Sequence, residues 1–346
     1  MSGLTRLTTP LLPENYLSLV NPMWHTDLRA RIHEVIDETD DAVTLVLRPS
    51  RPLPPHRAGQ HIQIGVDING VRQWRSYSLS SAAGPAPQDL RITVKTTSHG
   101  TVSRYLRYRA RRRDVVHLQP PAGDFVLPWR VPDKVLFIAA GSGITPIMSM
   151  VRTLEAGSNH PDVELVICAP TPSDVIFGSE LRNMVDRNAT WLTLTEHYSR
   201  SHGRINLHSL ADVVADWDDR VAWVCGPAEM LDDAHSVWSS RELAHLLHME
   251  RFQTAVLATG AEGGTVKFSK TNTTAEVNGD TTLLKAGEAA GVLMPNGCRM
   301  GICRTCVLPL VSGQVRDVRT GEVHGEPGDQ IQTCVSAPAS AIEIEI

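Results

Sequence analysis

The chain has 346 residues, 42% of them apolar, enough for two or three ordinary cores and too many for a disordered or fibrous protein. Its 33 Lys and Arg against 38 Asp and Glu leave a formal charge of −5, so a nucleic-acid binder has no footprint at whole-chain level. No apolar run approaches the roughly 20 residues that cross a bilayer, and the first 24 residues lack the charged start and apolar stretch of a secretory signal, so a soluble cytoplasmic protein is expected.

Residues 1–24 read as an N-terminal extension with little periodicity, whose Leu11, Leu12, Tyr16, Leu17 and Trp24 could dock a partner or pack along the next domain. From 25 to 130 come short runs of β character: Ala42 to Leu47, His61 to Val66, Trp74 to Leu79, Leu90 to Lys95 and Val115 to Leu118. Turn signals such as Asn69-Gly70 and Ala83-Gly84-Pro85 divide them, and that spacing predicts an antiparallel barrel or sandwich. From 131 to 252 apolar strands (Val135 to Ala140, Val163 to Cys168, Val221 to Cys225) alternate with helices (Thr145 to Leu154, Ala228 to Leu243), the rhythm of an α/β domain with a parallel sheet. Residues 246–262 read as a strand and then a linker, 253–262. The stretch 263–346 is small and β-rich, with alternating Val266 and Phe268, an Asn278-Gly279 turn, a helix near Thr281 to Gly291, and a last strand through Ile342, Ile344 and Ile346. Charge is uneven: 25–130 carries +6, 131–245 carries −8 and the tail −2. A positive first domain suits a cofactor with phosphates.

On the strand Arg75-Ser76-Tyr77-Ser78, alternation sets Arg75 and Tyr77 on one face and Ser76 and Ser78 on the other. An Arg fork suits a pyrophosphate, a Tyr can cover a planar ring, and a small hydroxyl can approach a ring nitrogen. Gly100-Thr101-Val102-Ser103 precedes a helix and would offer N–H groups and a hydroxyl to phosphate. An ordinary amphipathic strand and an N-capped helix explain the same residues. Arg104, Arg107, Arg109, Arg111, Arg112 and Arg113 follow, as a solvated helix face or as a docking surface for an acidic partner.

Val135 to Ala140 feeds Gly141-Ser-Gly143-Ile-Thr-Pro146, a strand, glycine turn and helix start that direct N–H groups at a pyrophosphate. The third glycine of a full dinucleotide fingerprint is absent; Pro146 stands there and suits a first helical turn. Val224-Cys225-Gly226-Pro227 ends a later strand, and by itself Cys225 reads as a buried structural cysteine, as does mid-strand Cys168.

Cys298-x4-Cys303-x2-Cys306, then Cys334 after 27 residues, has the spacing of a plant-type [2Fe-2S] cluster, three thiolates from one loop and a fourth from a separate segment. Gly297 and Gly301 would let that loop bend closely around the sulfides. A structural zinc site is the alternative, but zinc favours close ligand pairs at both ends, and here the far end has one. Thiols in a long chain without an export signal point to metal rather than disulfides.

The segment Asn296-Gly-Cys-Arg-Met-Gly-Ile-Cys-Arg-Thr-Cys306 resembles the cluster loop of a plant-type ferredoxin, which implies a β-grasp fold for the tail. The order R-x-Y-S at 75–78, G-x-x-S at 100–103 and Pro121-Ala-Gly-Asp-Phe125, followed by G-x-G-x-T-P at 141–146, resembles the ferredoxin-NADP reductase superfamily. That resemblance implies FAD rather than FMN, with Tyr77 against the isoalloxazine, Ser78 near N5, and Arg75 with Gly100, Thr101, Val102 and Ser103 on the phosphates; Ser76 and Lys95 join the cofactor-binding set. It places Gly141, Gly143, Pro146, Gly226 and Pro227 on the nicotinamide nucleotide, Thr145 close to the flavin, Cys225 at the nicotinamide C4, and Glu250 and Phe252 near the other flavin face. Ser78, Cys225 and Glu250 are thus the catalytic candidates, and Cys298, Cys303, Cys306 and Cys334 the metal ligands.

The resemblance covers about 25–346, in the order flavin, nucleotide, ferredoxin, and implies a reductase component of a multicomponent oxygenase, hydroxylase or fatty-acyl desaturase. NAD(P)H gives two electrons as a hydride, a plant-type cluster takes one, and FAD bridges the two. Arg182, Arg200 and Arg204 are available to a 2′-phosphate and Asp174 lies some way past the second strand, so NADPH is expected over NADH. A separate terminal acceptor, which could itself be membrane-bound, and a monomeric reductase without nucleic acid are expected. A stand-alone flavin or quinone reductase, or a [2Fe-2S] redox sensor, is the alternative.

Overall fold

The computed structural model describes residues 27–68, 70–84, 89–97, 100–158, 160–252, 263–297, 299, 301 and 304–346. The N-terminal extension 1–24, the linker 253–262, Asn69, Pro85, Cys298 and Cys303 lie outside the described residues. The described residues divide into two compact units, one within 27–72 and 76–251, the other within 73–75 and 252–346.

The chain opens with β1 (Arg29–Thr39), β2 (Ala42–Pro49), β3 (His61–Ile68), β4 (Val71–Ser78), β5 (Leu90–Lys95) and β6 (Val115–Leu118), an antiparallel sheet in the order β4-β3-β6-β1-β2-β5. The chain leaving β4 meets outer strand β5 through one antiparallel bridge between Leu79 and Ile92, which brings the two ends of the sheet together. In β2, Val43, Leu45 and Leu47 enter the barrel core, while Thr44 is buried on the other face, where its hydroxyl donates to Glu38 and meets Thr93. Helix α1 (Thr101–Tyr108) follows β5 and buries Val102 and Leu106, four residues apart on one face. Strand β1 escaped the sequence reading because a bulge between Ile32 and Glu34 breaks its alternation.

The rest of the first unit is a sheet of five parallel strands, β7 (Lys134–Ala140), β8 (Asp162–Ala169), β9 (Leu192–Tyr198), β10 (Val221–Cys225) and β11 (Leu247–Glu250), in the order β11-β10-β7-β8-β9. It is joined by α2 (Ile144–Ala156), α3 (Gly178–Asn188), α4 (Ser199–His202) and α5 (Ala228–Ser240). Central β7 is apolar without alternation, as a parallel strand buried on both faces requires. Arg220, 3% exposed, joins the starts of β7 and β8 by donating to the carbonyls of Val135 and Asp162 and to the Asp162 and Asp216 carboxylates.

The second unit holds β12 (Gly264–Phe268), β13 (Thr273–Val277), β14 (Val307–Ser312), β15 (Val315–Asp317), β16 (Val323–His324), β17 (Gln330–Gln332), β18 (Ser336–Pro338), β19 (Ile342–Ile344) and α6 (Leu283–Ala289). A mixed sheet runs β13-β12-β19-β14-β17, with β12 and β19 parallel, and β16-β15-β18 form a smaller one. Leu283 and Leu284 of α6 join Val266, Phe268 and Ile344 of the sheet in one core. One helix on a mixed sheet is the β-grasp arrangement.

Candidate functional site

In the nucleotide sheet the strand order reverses at β7: β8 and β9 extend one way, β10 and β11 the other. The crevice at the carboxyl ends of β7 and β10 is therefore the switch point at which open parallel sheets bind ligands. Gly141–Gly143 make one tight turn off β7, and α2 begins at Ile144 without a side-chain cap, which leaves its first N–H groups to an anion. A Cβ on Gly143 would stand 2.0 Å from the Cys225 carbonyl oxygen, so only glycine lets the turn lie on β10. The Thr145 hydroxyl, in a residue 3% exposed, donates to the Ser142 carbonyl at 3.0 Å and fixes the turn from within. Pro146 is buried in the same first turn, where its missing N–H costs no helical bond.

Cys225 and Glu250 end β10 and β11 in register. Gly226 and Pro227 carry the chain from Cys225 into α5. The Cys225 thiol is fully buried, and burial, with the Glu250 carboxylate beside it, pushes it well above its ordinary range. Glu250 as a residue is partly exposed, yet its Oε2 is buried with no hydrogen-bond partner among the described residues. Burial lifts the carboxyl to about 8, so at neutral pH it carries a proton. Phe252 follows β11 half-buried.

The flavin-type segment ends β4. Ser78 is 6% exposed, and Tyr77 packs against the barrel core. Arg75 Nη1 donates to the Trp74 carbonyl at 2.7 Å. The Ser76 hydroxyl is buried with no hydrogen-bond partner among the described residues. Native interiors rarely leave such atoms unpaired, so an orphaned hydroxyl on β4 and an orphaned carboxylate oxygen on β11 fit a bound group that completes them. Gly100 starts α1 with no side-chain cap. The Ser103 hydroxyl accepts from the Thr97 N–H at 3.4 Å, Thr101 is exposed, and Val102 is core. Lys95 is paired with Asp41 at 2.6 Å.

Sequence reasoning missed the seam between barrel and nucleotide sheet. Arg152, one turn past Ser149 on α2, is 9% exposed and grips Glu180 of α3 at 2.8 and 2.6 Å. It also donates to the Ser80 carbonyl, two residues past Ser78. Ser149 donates to the Ser81 carbonyl at 2.6 Å, and Thr153 accepts from the Ala83 N–H at 2.8 Å. The helix that begins at the glycine turn is thus bolted to the chain leaving β4. The signal was one Arg amid the apolar residues of α2, which a buried face admits only when paired.

In the tail, Cys306 and Cys334 are buried. Their segments are tied together: the Thr333 hydroxyl donates to the Cys306 carbonyl at 2.9 Å, and Gln332 Nε2 to the Gly301 carbonyl at 3.1 Å. Gly301 has φ +77, and Arg299 and Arg304 take the same left-handed region, unusual for long side chains. A loop bent through three such residues, tied to the segments of two buried cysteines, fits a cluster that its cysteines clasp.

Three family models match in chain order: an oxidoreductase FAD-binding domain over 32–127, an oxidoreductase NAD-binding domain over 137–236, and a 2Fe-2S iron-sulfur cluster binding domain over 266–339. The chain is 43% identical to an "NADPH oxidoreductase" of Mycobacterium tuberculosis, over 99% of this chain and 90% of that protein. The chain belongs to the ferredoxin-NADP reductase superfamily, in the form with a C-terminal [2Fe-2S] domain. The reductase is also 33% identical to an "NADH oxidoreductase" of Escherichia coli, over 83% of this chain and 87% of that one. With the "ferredoxin reductase component" of a 3-ketosteroid-9-alpha-monooxygenase of Mycobacterium tuberculosis it shares 30% identity, over 92% and 95% of the two chains. The fold matches that of phthalate dioxygenase reductase at TM-score 0.66 and 24% identity, over 93% and 98% of the two chains. It is an NAD(P)H oxidoreductase with FAD and [2Fe-2S] as its cofactors. No helix among the described residues is long and apolar enough to cross a membrane.

Three arginines of this reductase stood as candidates for a 2′-phosphate. Arg182 forks onto Glu196 at 3.0 and 2.8 Å, and Arg204 pairs with Glu229. Arg200 is exposed and has no ion pair among the described residues; its backbone N–H donates to the Pro170 carbonyl at 3.1 Å, which holds α4 at the end of β8. The Asp174 carboxylate accepts from the Thr171 hydroxyl at 2.6 Å. In the 104–113 run, Arg107 pairs with Asp37 and Arg112 donates to the His33 carbonyl.

Proposed function

We propose that the reductase draws electrons from NADPH and delivers them one at a time, through its [2Fe-2S] domain, to a separate oxygenase or hydroxylase. The relative named as the reductase component of a steroid monooxygenase supports the acceptor class. When bound, FAD couples the two-electron chemistry of a nicotinamide to the one-electron chemistry of an iron–sulfur cluster.

The proposal assigns 25–130 to the flavin, 131–252 to the nucleotide and 263–346 to the cluster, each segment with its own residues. Arg75 and the uncapped start of α1, Gly100 to Ser103, take the phosphates of FAD; Tyr77 covers its ring, and Ser76 and Ser78 supply hydroxyls. The turn from Gly141 to Pro146 takes the pyrophosphate of the nucleotide, and Gly226 and Pro227 border its nicotinamide. Cys225 gives the nicotinamide a small, polarisable and uncharged surface, because burial keeps its thiol protonated. Glu250 holds a proton at neutral pH in a site that water does not freely reach. Cys298, Cys303, Cys306 and Cys334 hold the iron. The exposed Arg200 at the end of β8 supports NADPH, since it has a charge to offer and no acid on it among the described residues.

The observation that carries this reading is the meeting of Gly143, Cys225 and Glu250 at one switch point, in a chain that also ties Cys306 to Cys334. Anaerobic titration of the purified protein with NADPH tests it. Both flavin and cluster absorbance should bleach; bleaching of the flavin alone would favour a stand-alone flavin reductase and overturn the proposal.

A further inference from the structure

The tail sets a charged pair against the cysteine loop. A Cβ on Gly301 would meet Arg319 Nη1 at 2.5 Å and Val335 Cγ1 at 2.9 Å, so the guanidinium rests on the backbone of the loop between Cys298 and Cys303. The Val318 N–H donates to the Val335 carbonyl at 2.8 Å, which holds Arg319 beside the segment of Cys334. Asp317 fixes the guanidinium from the same turn: Arg319 Nε donates to Oδ1 at 3.0 Å, Nη2 to Oδ2 at 2.5 Å, and the Arg319 backbone N–H to Oδ1 at 2.8 Å. Asp317 is 15% exposed and Arg319 41%. At Gly301 it is the guanidinium that meets the loop.

We infer that Arg319 and Asp317 form a built-in trim of the cluster's reduction potential, the cation raising it and the carboxylate holding that rise in check. Reduction adds one electron, and one negative charge, to a group that four thiolates already leave anionic. A fixed cation nearby stabilises the reduced form more than the oxidised one, and a fixed anion does the reverse. The turn through Asp317 and Arg319 presents both signs at one place, so substitution can remove either alone.

The inference rests on the assignment of a [2Fe-2S] cluster to the four cysteines, and the experiment separates the two. Purified full-length holoprotein is titrated by spectroelectrochemistry, with the cluster followed by its visible absorption and its reduced-state EPR signal. Arg319→Gln should lower the midpoint, moving the electron equilibrium between flavin and cluster roughly three- to tenfold toward the flavin, tenfold being about 59 mV for a one-electron couple. Asp317→Asn should raise the midpoint, and Arg319→Lys should stay near wild type. Because Arg319 is partly exposed, high salt should shrink both shifts. Midpoints that move in the same direction, or not at all, overturn the inference, since loss of a merely structural pair has no reason to give opposite signs. If Arg319→Gln loses its cluster, Asp317→Asn and Arg319→Lys decide. Wild-type protein without iron and acid-labile sulfide would instead sink the cluster assignment itself.

Discussion

Arg152 at the seam and Arg319 in the tail each hold a carboxylate in a two-pronged grip, yet the first is 9% exposed and the second 41%. The geometry of the two pairs is nearly the same; the surroundings differ. Arg152 is enclosed by α2, α3 and the chain leaving β4, so its charge cannot return to water if its partner leaves. Such a pair locks positions. Arg319 keeps water on one side, so its pair contributes little rigidity and acts through its field, which reaches farther than its contacts. The reductase thus has a buried charge where two ligand-bearing elements must stay in fixed relation, and a half-exposed one where a potential is to be set.

The sharpest way to break that contrast is to remove the buried partner. Arg152→Ala leaves the Ser80 carbonyl without its donor and Glu180 without its cation. Loss of one member of a buried pair costs about 3–5 kcal/mol, and since Glu180 retains 38% side-chain exposure the lower end applies. Urea unfolding followed by tryptophan fluorescence should show this loss, whereas Arg319→Gln should leave the same transition in place. Equal effects of the two substitutions would erase the distinction.

Glu250 extends the argument to an acid with a buried oxygen and no ion pair among the described residues. Its carboxyl stands at about 8 in the fold against an ordinary value of 4.5, so between those values the folded chain holds a proton that the unfolded chain has released. Stability must then fall as pH rises, with a slope of at most about 1.4 kcal/mol per pH unit. In the flavin-free protein the loss between pH 6 and pH 8 should be about 2 kcal/mol, and Glu250→Gln should flatten it. A wild-type slope of zero would mean that water reaches Oε2.

Most of the architecture was legible, and the exceptions have local causes. Clean runs such as Val115–Leu118 and Val221–Cys225 announced themselves by composition and length. Strand β1 was hidden by its bulge, and α3 because Phe177 stands at its N-cap in a left-handed conformation where a Ser or Asp would have signalled a start. At the site, motifs gave the candidates, and the structure brings Gly143 and Cys225 together because only a glycine can lie that close to the end of β10. Motifs could not give Arg152, whose role depends on Ser80 and Glu180 in other elements, nor Arg319, whose neighbour at Gly301 belongs to another segment.

An exposed cation without a carboxylate should behave differently again. Arg200 has no ion pair among the described residues, so its loss should leave folding untouched and appear only in nucleotide choice. Arg200→Ala should raise KM for NADPH about tenfold, the effect of one charge-assisted bond of roughly 1.4 kcal/mol, while KM for NADH stays constant. Parallel steady-state assays with an artificial acceptor would decide, and an equal rise for both nucleotides would refute the 2′-phosphate role.

The smallest expected effect isolates burial from geometry. Arg48 forks onto Asp89 at 2.9 and 2.8 Å, a grip as good as that of Arg152 on Glu180, but its side chain is 59% exposed. Water solvates both charges as well apart as together, and the ordering of two mobile side chains offsets what attraction is left. Arg48→Ala should therefore leave the unfolding midpoint unchanged at physiological salt. A clear destabilisation there would show that the fork alone suffices, and the weight given to the enclosure of Arg152 would have to move to its geometry.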